Sequence, residues 1–210
     1  MNLHAIPCFI IHRVQDVIRE PSILELETKL GLPLQRFEGL SGDFLIESGF
    51  PRKHPHEGLS NAGIIGCAAS HIELLEAAIA STSSHYCIFE DDAELVGNLP
   101  AYFSSLEGLP EADLVCMGVN EIVDGTATTV SSIKKVTRFW GTHAMIVNRK
   151  TMTAVLATYK KYVSLGYALP ADWLYSYAIK EHGLLAYAPV KSVIRQRPGF
   201  VSVITGIVRR

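Results

Sequence analysis

The stretch Tyr86-Cys87-Ile88-Phe89-Glu90-Asp91-Asp92 is an apolar run that stops abruptly in three acids. Four consecutive apolar side chains suit a strand buried on both faces. The break into carboxylates puts the end of that strand at a surface or crevice. Leu114-Val115-Cys116-Met117, ending at Gly118, and Ala144-Met145-Ile146-Val147 have the same character. Phe9-Ile10-Ile11 reads as an earlier short strand and Leu184 to Val190 as a later one. Helical spacing fills the intervals. Ile23, Leu26 and Leu30 form one stripe over Ser22 to Leu30, and Ala68, Ile72, Leu75 and Ile79 recur at helical steps over Gly66 to Ala80. Thr151 to Tyr162 and Asp172 to Glu181 are also helical, the latter with Asp172 suited to the N-cap and Gly183 to the stop. Gly31 to Pro55, rich in Gly and Pro, reads as irregular connection. Strands of continuous apolar character alternating with helices predict an α/β sandwich whose largely parallel sheet is covered on both faces. Ligands of such sheets sit beyond the carboxyl ends of the strands.

The 210 residues suffice for one substantial core, so a single domain over 1–210 is expected. Hydrophobic residues at 48% against 19% charged exclude a disordered chain. A net charge of -2 with scattered Lys and Arg lacks the basic stripe of a nucleic-acid binder. The one basic cluster, Arg195, Arg197, Arg209 and Arg210, is a solvated tail, a phosphate contact or a weak peripheral attraction to an anionic membrane. Cys8, Cys67, Cys87 and Cys116 form no C-x-x-C pair, which argues against structural zinc and for buried thiols in a reducing compartment. The N-terminus lacks a signal-peptide pattern, and no run approaches the ~20 apolar residues of a membrane span. A cytoplasmic protein is expected, with any contact at the inner membrane peripheral.

Glu90-Asp91-Asp92 carries the most chemistry. Adjacent carboxylates repel, and a cation relieves the repulsion. In extended backbone Glu90 and Asp92 project to one side and Asp91 to the other, so two oxygens can face Mg2+ or Mn2+. The alternative is a solvated acidic turn. Gly63-Ile64-Ile65-Gly66 before the best helix is either a phosphate-binding turn or a tight packing turn. Ser70-His71 falls in the first turns of that helix, where a lone histidine is more often structural. His54-Pro55-His56 reads as solvated loop histidines. Phe139-Trp140-Gly141-Thr142-His143 is a sugar-stacking platform or a core edge.

In order along the chain these blocks resemble the family 25 glycosyltransferases, which include bacterial lipopolysaccharide galactosyltransferases and collagen galactosyltransferase domains. Phe9-Ile10-Ile11-His12-Arg13 is similar to the opening strand, and Gly63 through His71 to the glycine-cysteine-serine-histidine helix start. Tyr86 through Asp92 resembles the acidic metal motif, and Trp140 through Val147 the later glycine-threonine strand. Pro170-Ala171-Asp172-Trp173 and Gln196 through Ser202 fall where the family places an acidic helix start and a closing loop. The chain departs from the pattern at Ile64, usually glutamate, at His12, near a usual asparagine, and at Met145, commonly tyrosine.

The resemblance implies a GT-A-type α/β/α sandwich and an inverting, metal-dependent transfer of a hexose, galactose or glucose, from a UDP-sugar donor to a glycan or glycolipid acceptor. It places Glu90 and Asp92 on Mn2+ or Mg2+. It places Ile11, His12, Ser70, His71, Asp91, Arg195, Gln196 and Ser202 on the donor, Gly141, Thr142, His143 and Trp173 on the substrate side, and Asp172 as the base. The segment Arg195 to Ser202, with Gly199 as its flexible point, would close over the diphosphate. A phosphohydrolase using the same acids and an inactive carbohydrate-binding module are the rival expectations.

Overall fold

The computed structural model describes residues 2–56 and 58–198. In chain order these form β1 (Cys8–His12), α1 (Glu20–Leu30), β2 (Gln35–Glu38), α2 (Gly42–Glu47), β3 (Lys53–His54), β4 (Gly58–Leu59), α3 (Ala62–Ile79), β5 (His85–Glu90), β6 (Ala93–Leu95), α4 (Leu99–Leu106), β7 (Leu114–Gly118), β8 (Glu121–Ala127), β9 (Ile133–Trp140), β10 (Ala144–Asn148), α5 (Arg149–Ser164), α6 (Ala171–His182), β11 (Ala186–Pro189) and β12 (Ile194–Gln196). The main sheet has the order β2-β1-β5-β10-β7-β11-β9-β8. All of its strands point the same way except β10 and β9.

Strand alternation divides the apolar residues between two cores. Tyr86 and Ile88 of β5, Leu114 and Cys116 of β7, and Met145 and Val147 of β10 join Ile72 and Leu75 of α3, Val155 of α5 and Leu174 of α6 on one face. Cys87 and Phe89, Val115 and Met117, and Ala144 and Ile146 join Ile23 and Leu26 of α1 and Tyr102 and Phe103 of α4 on the other. Each central strand is therefore apolar throughout because both its faces are covered. The structure is the expected α/β/α sandwich with a mostly parallel sheet. Cys8, Cys67, Cys87 and Cys116 are free thiols.

Several elements differ from the sequence reading. Gly31 to Pro55 is not irregular: it holds β2, α2 and β3. β2 is a mostly exposed edge strand with no apolar run to announce it, and α2 is only 6 residues long. α3 begins at Ala62 rather than Gly66, because Asn61 caps it, its Oδ1 accepting from Ile64 N at 2.9 Å. Gly63 and Gly66 thus lie inside the helix, and Ser70 and His71 fall at its middle. Gly66 is a close-packing glycine, since a Cβ there would lie 2.7 Å from Leu40 O. α6 is capped at Pro170, so Asp172 sits in the first turn and is not the N-cap, while the stop at Gly183 (φ 60°) is as expected. His54 is buried against Trp173, not solvated. α3 is also the one helix among the described residues long and apolar enough to cross a membrane, but its inner face from Ile65 to Ala78 is core.

Asp113, just before β7, ties the far end of the sheet together. Its carboxylate accepts from Leu185 N (2.8 Å), Lys150 Nζ (2.9 Å) and Asn148 Nδ2 (3.1 Å). Burial opposes the charge, but these donors outweigh it and hold the carboxyl below its ordinary value. A depressed folded-state pKa adds stability above the unfolded value of about 3.9, and that stability is lost as pH falls through the folded value. Asp113→Ala should cost about 2 kcal/mol at neutral pH, with the gap narrowing below about pH 4. Denaturant unfolding at both pH values checks this.

Candidate functional site

The site lies at the carboxyl edge of the parallel strands. β2 delivers Gly39 and Leu40 there, β1 delivers Ile11 and His12, β5 delivers Glu90-Asp91-Asp92, and β7 runs through Gly118 to Asn120. β10 runs the other way, so its approach segment Gly141-Thr142-His143 reaches the same edge. Glu90 N donates to His143 O at 3.0 Å, which locks the two strands together at that point. A cleft of about 800 Å³, solvent at its mouth included, opens over this edge between β1, β5 and α3.

The three acids divide only in part as alternation predicts, because β5 ends at Glu90 and Asp91-Asp92 form a turn rather than extended strand. Asp91 turns toward β1, where Oδ2 lies 3.0 Å from His12 Nδ1 and Oδ1 pairs with Arg19. Glu90 turns the other way, and Asp92 lies near both, with Oδ2 3.8 Å from Arg19 Nη1 and a carboxylate oxygen within 4.8 Å of Glu90. Glu90 Oε1 accepts from Thr142 Oγ1 and faces His71 Nε2 at 3.3 Å, and Oε2 lies 3.5 Å from His143 Nδ1. Burial disfavours the charge on Glu90, yet His143 and His71 together hold its carboxyl well below the ordinary range. Asp92 Oδ2 accepts from Gln196 Nε2 at 2.9 Å, while its buried Oδ1 has no hydrogen-bond partner among the described residues. Burial first, and then the charge of Glu90, push the Asp92 carboxyl up.

Ligand-capable atoms of Glu90, Asp92 and His143 lie within 4.8 Å of one another. His143 Nε2 faces Asn120 Oδ1 at 2.9 Å. An imidazole donating there carries one proton on Nε2; its Nδ1, which faces Glu90 Oε2 at 3.5 Å and has no hydrogen-bond partner among the described residues, pairs with Glu90 when protonated and offers a lone pair to a cation when not. Two orphaned acceptors of suitable chemistry beside a carboxylate fit a divalent cation. Cys67, His71 and Glu90 form a second such group. There burial, aided by Glu90, pushes the Cys67 thiol well up, and a neutral thiol is a poor ligand. If Asn120 fixes the ring of His143, Asn120→Ala should weaken Mn2+ binding roughly 10–100-fold with little change in melting temperature. A metal titration followed by calorimetry checks this.

The other expected residues are placed as follows. Ile11 and His12 line the cleft with Ser70 and His71. The Ser70 hydroxyl donates to Gly66 O (2.6 Å) and accepts from Leu40 N (2.8 Å), so it clamps the cleft wall. His71 Nδ1 lies 3.3 Å from Tyr175 Oη. Gln196 lines the cleft from β12. Arg195 points to Glu94 (2.8 Å), and Arg197 to Glu25 (2.9 Å). Gly199 and Ser202 lie outside the described residues. Asp172 Oδ2 accepts from Gly141 N and Oδ1 from Trp173 N, both at 2.9 Å. Burial pushes this carboxyl up, against the two backbone donors. Trp173 and Trp140 meet with ring centroids 5.6 Å apart.

Arg19 and Asn120 escaped the sequence reading. Neither carries a local signal: Arg19 is brought to Asp91 by the turn before α1, and Asn120 to His143 by the β7–β8 connection. His143 was assigned to substrate, and its place beside Glu90 depends on the reversed direction of β10.

The family model for glycosyltransferase family 25 (LPS biosynthesis protein) matches residues 6–114. No curated protein matches the chain. Solved structures with a similar fold include a glycosyltransferase involved in the glycosylation of the major capsid of PBCV-1, at 9% identity over 92% of this chain and 94% of that one, with a TM-score of 0.46. Another is the glycosyltransferase GlyE of Streptococcus pneumoniae TIGR4, at 10% identity over 87% of this chain and 45% of that one, TM-score 0.46. A third is the nucleoside-diphosphate-sugar pyrophosphorylase from Vibrio cholerae RC9, at 16% identity over 91% and 76%, TM-score 0.42.

Proposed function

Because the chain belongs to glycosyltransferase family 25 and is thereby a glycosyl-transferring enzyme, we propose that it moves a hexose, galactose or glucose, from a UDP-sugar to a glycan or glycolipid hydroxyl with inversion. The observation that carries the metal dependence is the buried, unpartnered Oδ1 of Asp92 beside Glu90 and the lone pair of His143. Two carboxylates and an imidazole suit Mn2+ better than Mg2+, which prefers oxygen ligands and retained waters. When bound there, the cation would neutralise the diphosphate of the leaving group.

The chain's own groups supply the rest. Asp172 takes the proton of the acceptor hydroxyl, and a carboxyl pushed up by burial is a better base than an exposed aspartate. Ile11, His12, Asp91, Ser70, His71 and Gln196 face the donor. Arg195 and Ser202 keep the donor-side role that the family resemblance gives them, with the segment they bound closing over the diphosphate and excluding water. The whole chain acts as one transferase domain, with a cytoplasmic or peripheral inner-membrane location.

A phosphohydrolase with two metals is disfavoured, since the second group capable of holding a metal among the described residues depends on the Cys67 thiol, which burial keeps neutral, and so leaves only His71 and Glu90 as ligands there. A thermal-shift screen of nucleotide sugars tests the donor. UDP-galactose or UDP-glucose at about 100 times its Kd should raise the melting temperature by roughly 5–10 °C with Mn2+ present. The same shift in chelator, or a shift only with CMP- or GDP-sugars, would overturn the metal or the donor assignment respectively.

A further inference from the structure

Trp140 and Trp173 are the only tryptophans in the chain. They flank the two ends of the Gly141–Asp172 hydrogen bond, so the pair stands one residue from the proposed base. With His56, Arg138, Tyr177 and Lys180 they line a second basin of about 800 Å³, which shares no residue with the donor cleft. Tyr177 stands perpendicular to Trp173 at 5.8 Å, and the His56 ring lies 5.2 Å from Trp173. His56 Nε2 and Tyr177 Oη, 3.4 Å apart, complete a wall with polar tips on an aromatic body.

The charge in this basin is specific. The Arg138 guanidinium lies 4.8 Å from the Trp140 ring and 5.1 Å from the Trp173 ring. Among the described residues no carboxylate lies within ion-pair distance of it. Its cross-strand neighbour Asp124 instead accepts from Thr137 Oγ1 (2.6 Å) and faces Lys180 Nζ at 3.6 Å. Two cations thus face one acid, Asp124, whose charge also reaches Arg138, and the described lining is positive on a chain that is -2 overall. A guanidinium stacked on aromatic faces keeps its in-plane N–H donors free, the geometry that grips a carboxylate or phosphate in two-point fashion. Trp173 is itself buried, so the half-buried rings of Trp140 and Tyr177 beside such a fork are the surfaces that suit a pyranose ring carrying an anionic substituent.

We propose that this basin is the acceptor subsite and that it selects a glycan bearing a carboxylate or phosphate on, or next to, the sugar whose hydroxyl attacks. The assignment rests on the transferase reading above, but its test needs no turnover. Since both tryptophans lie in the basin, tryptophan emission excited selectively over the tyrosines reports on it. A uronic-acid disaccharide, a phosphorylated disaccharide and their neutral counterpart would be titrated without donor. At least one charged sugar should perturb the emission saturably, with a Kd at least tenfold below that of the neutral sugar. Whichever charged arm binds more tightly identifies the anion. Arg138→Gln should erase the tenfold preference while keeping the melting temperature and its shift with UDP and Mn2+. Equal affinity for charged and neutral sugars, no binding of either, or an intact preference in Arg138→Gln would overturn the proposal. Any of these with a normal UDP response leaves the transferase reading standing, whereas loss of the UDP response in the unmodified protein strikes that reading instead.

Discussion

Asp92→Asn should lower transfer by roughly 10³-fold, the loss of several kcal/mol of charge stabilisation at about 1.4 kcal/mol per decade. The side chain keeps its shape, and an amide oxygen can still accept from Gln196. What changes is the atom now buried without a partner, Oδ1. In the variant the charge that would attract a cation is gone, and with the amide oxygen kept toward Gln196 that atom becomes an NH2 donor. Because burial and Glu90 already penalise the Asp92 charge, the variant should melt no lower than the parent in chelator. Mn2+ affinity, transfer rate and melting curves are the three readouts. Parental activity in Asp92→Asn, or a parent indifferent to chelator, would remove the metal from the mechanism.

Asp172→Asn should lower transfer about 10²-fold or more while Mn2+ and UDP affinities hold. The carboxylate receives two backbone N–H bonds, from Gly141 and Trp173, and an amide can satisfy only one of them. A stability loss of about 1 kcal/mol is expected from the other. That loss is too small to account for the rate, so the two effects separate. As the pKa of this carboxyl is raised, transfer should also fall away with acid at a higher pH than an ordinary aspartate would give. Transfer near the parental rate would reduce Asp172 to a brace for Gly141 and turn attention to Glu121 or His143.

The buried centre of the fold was legible because its strands are covered on both sides and so carry unbroken apolar runs. Tyr86 to Phe89, Leu114 to Met117 and Ala144 to Val147 are all strands as read. β2 and the hairpin β8–β9 left no such trace, being edge elements with one polar face. Strand direction was not legible either, since an apolar run reads alike both ways. Alternation anticipated Asp91 facing β1 apart from Glu90, but not the turn at Asp91-Asp92 that lets Arg19 reach both aspartates. By contrast, His143 as a neighbour of Glu90, Arg19 as the partner of Asp91 and Asn120 behind His143 depend on tertiary contacts across 53, 72 and 23 residues. The N-cap expected at Asp172 failed because Pro170 holds that position and Asp172 is drawn instead to Gly141.

The reversal of β9 and β10 has an evolutionary consequence. Arg138 and Trp140 stand at the end of β9, His143 stands at the start of β10, and only Gly141 and Thr142 intervene. Gly141 holds φ 86°, and a Cβ there would lie 2.8 Å from His143 Nε2 and 2.9 Å from Asn120 Nδ2. The segment 138–143 is therefore a single heritable cassette in which the sugar platform and the acid-site histidine are inseparable. A relative that acquired a new platform by recombination within this segment would disturb His143 at the same stroke. Drift in specificity would then proceed by single substitutions, at Arg138 on β9 or at Trp173 and Tyr177 on α6, rather than by exchange of the whole segment.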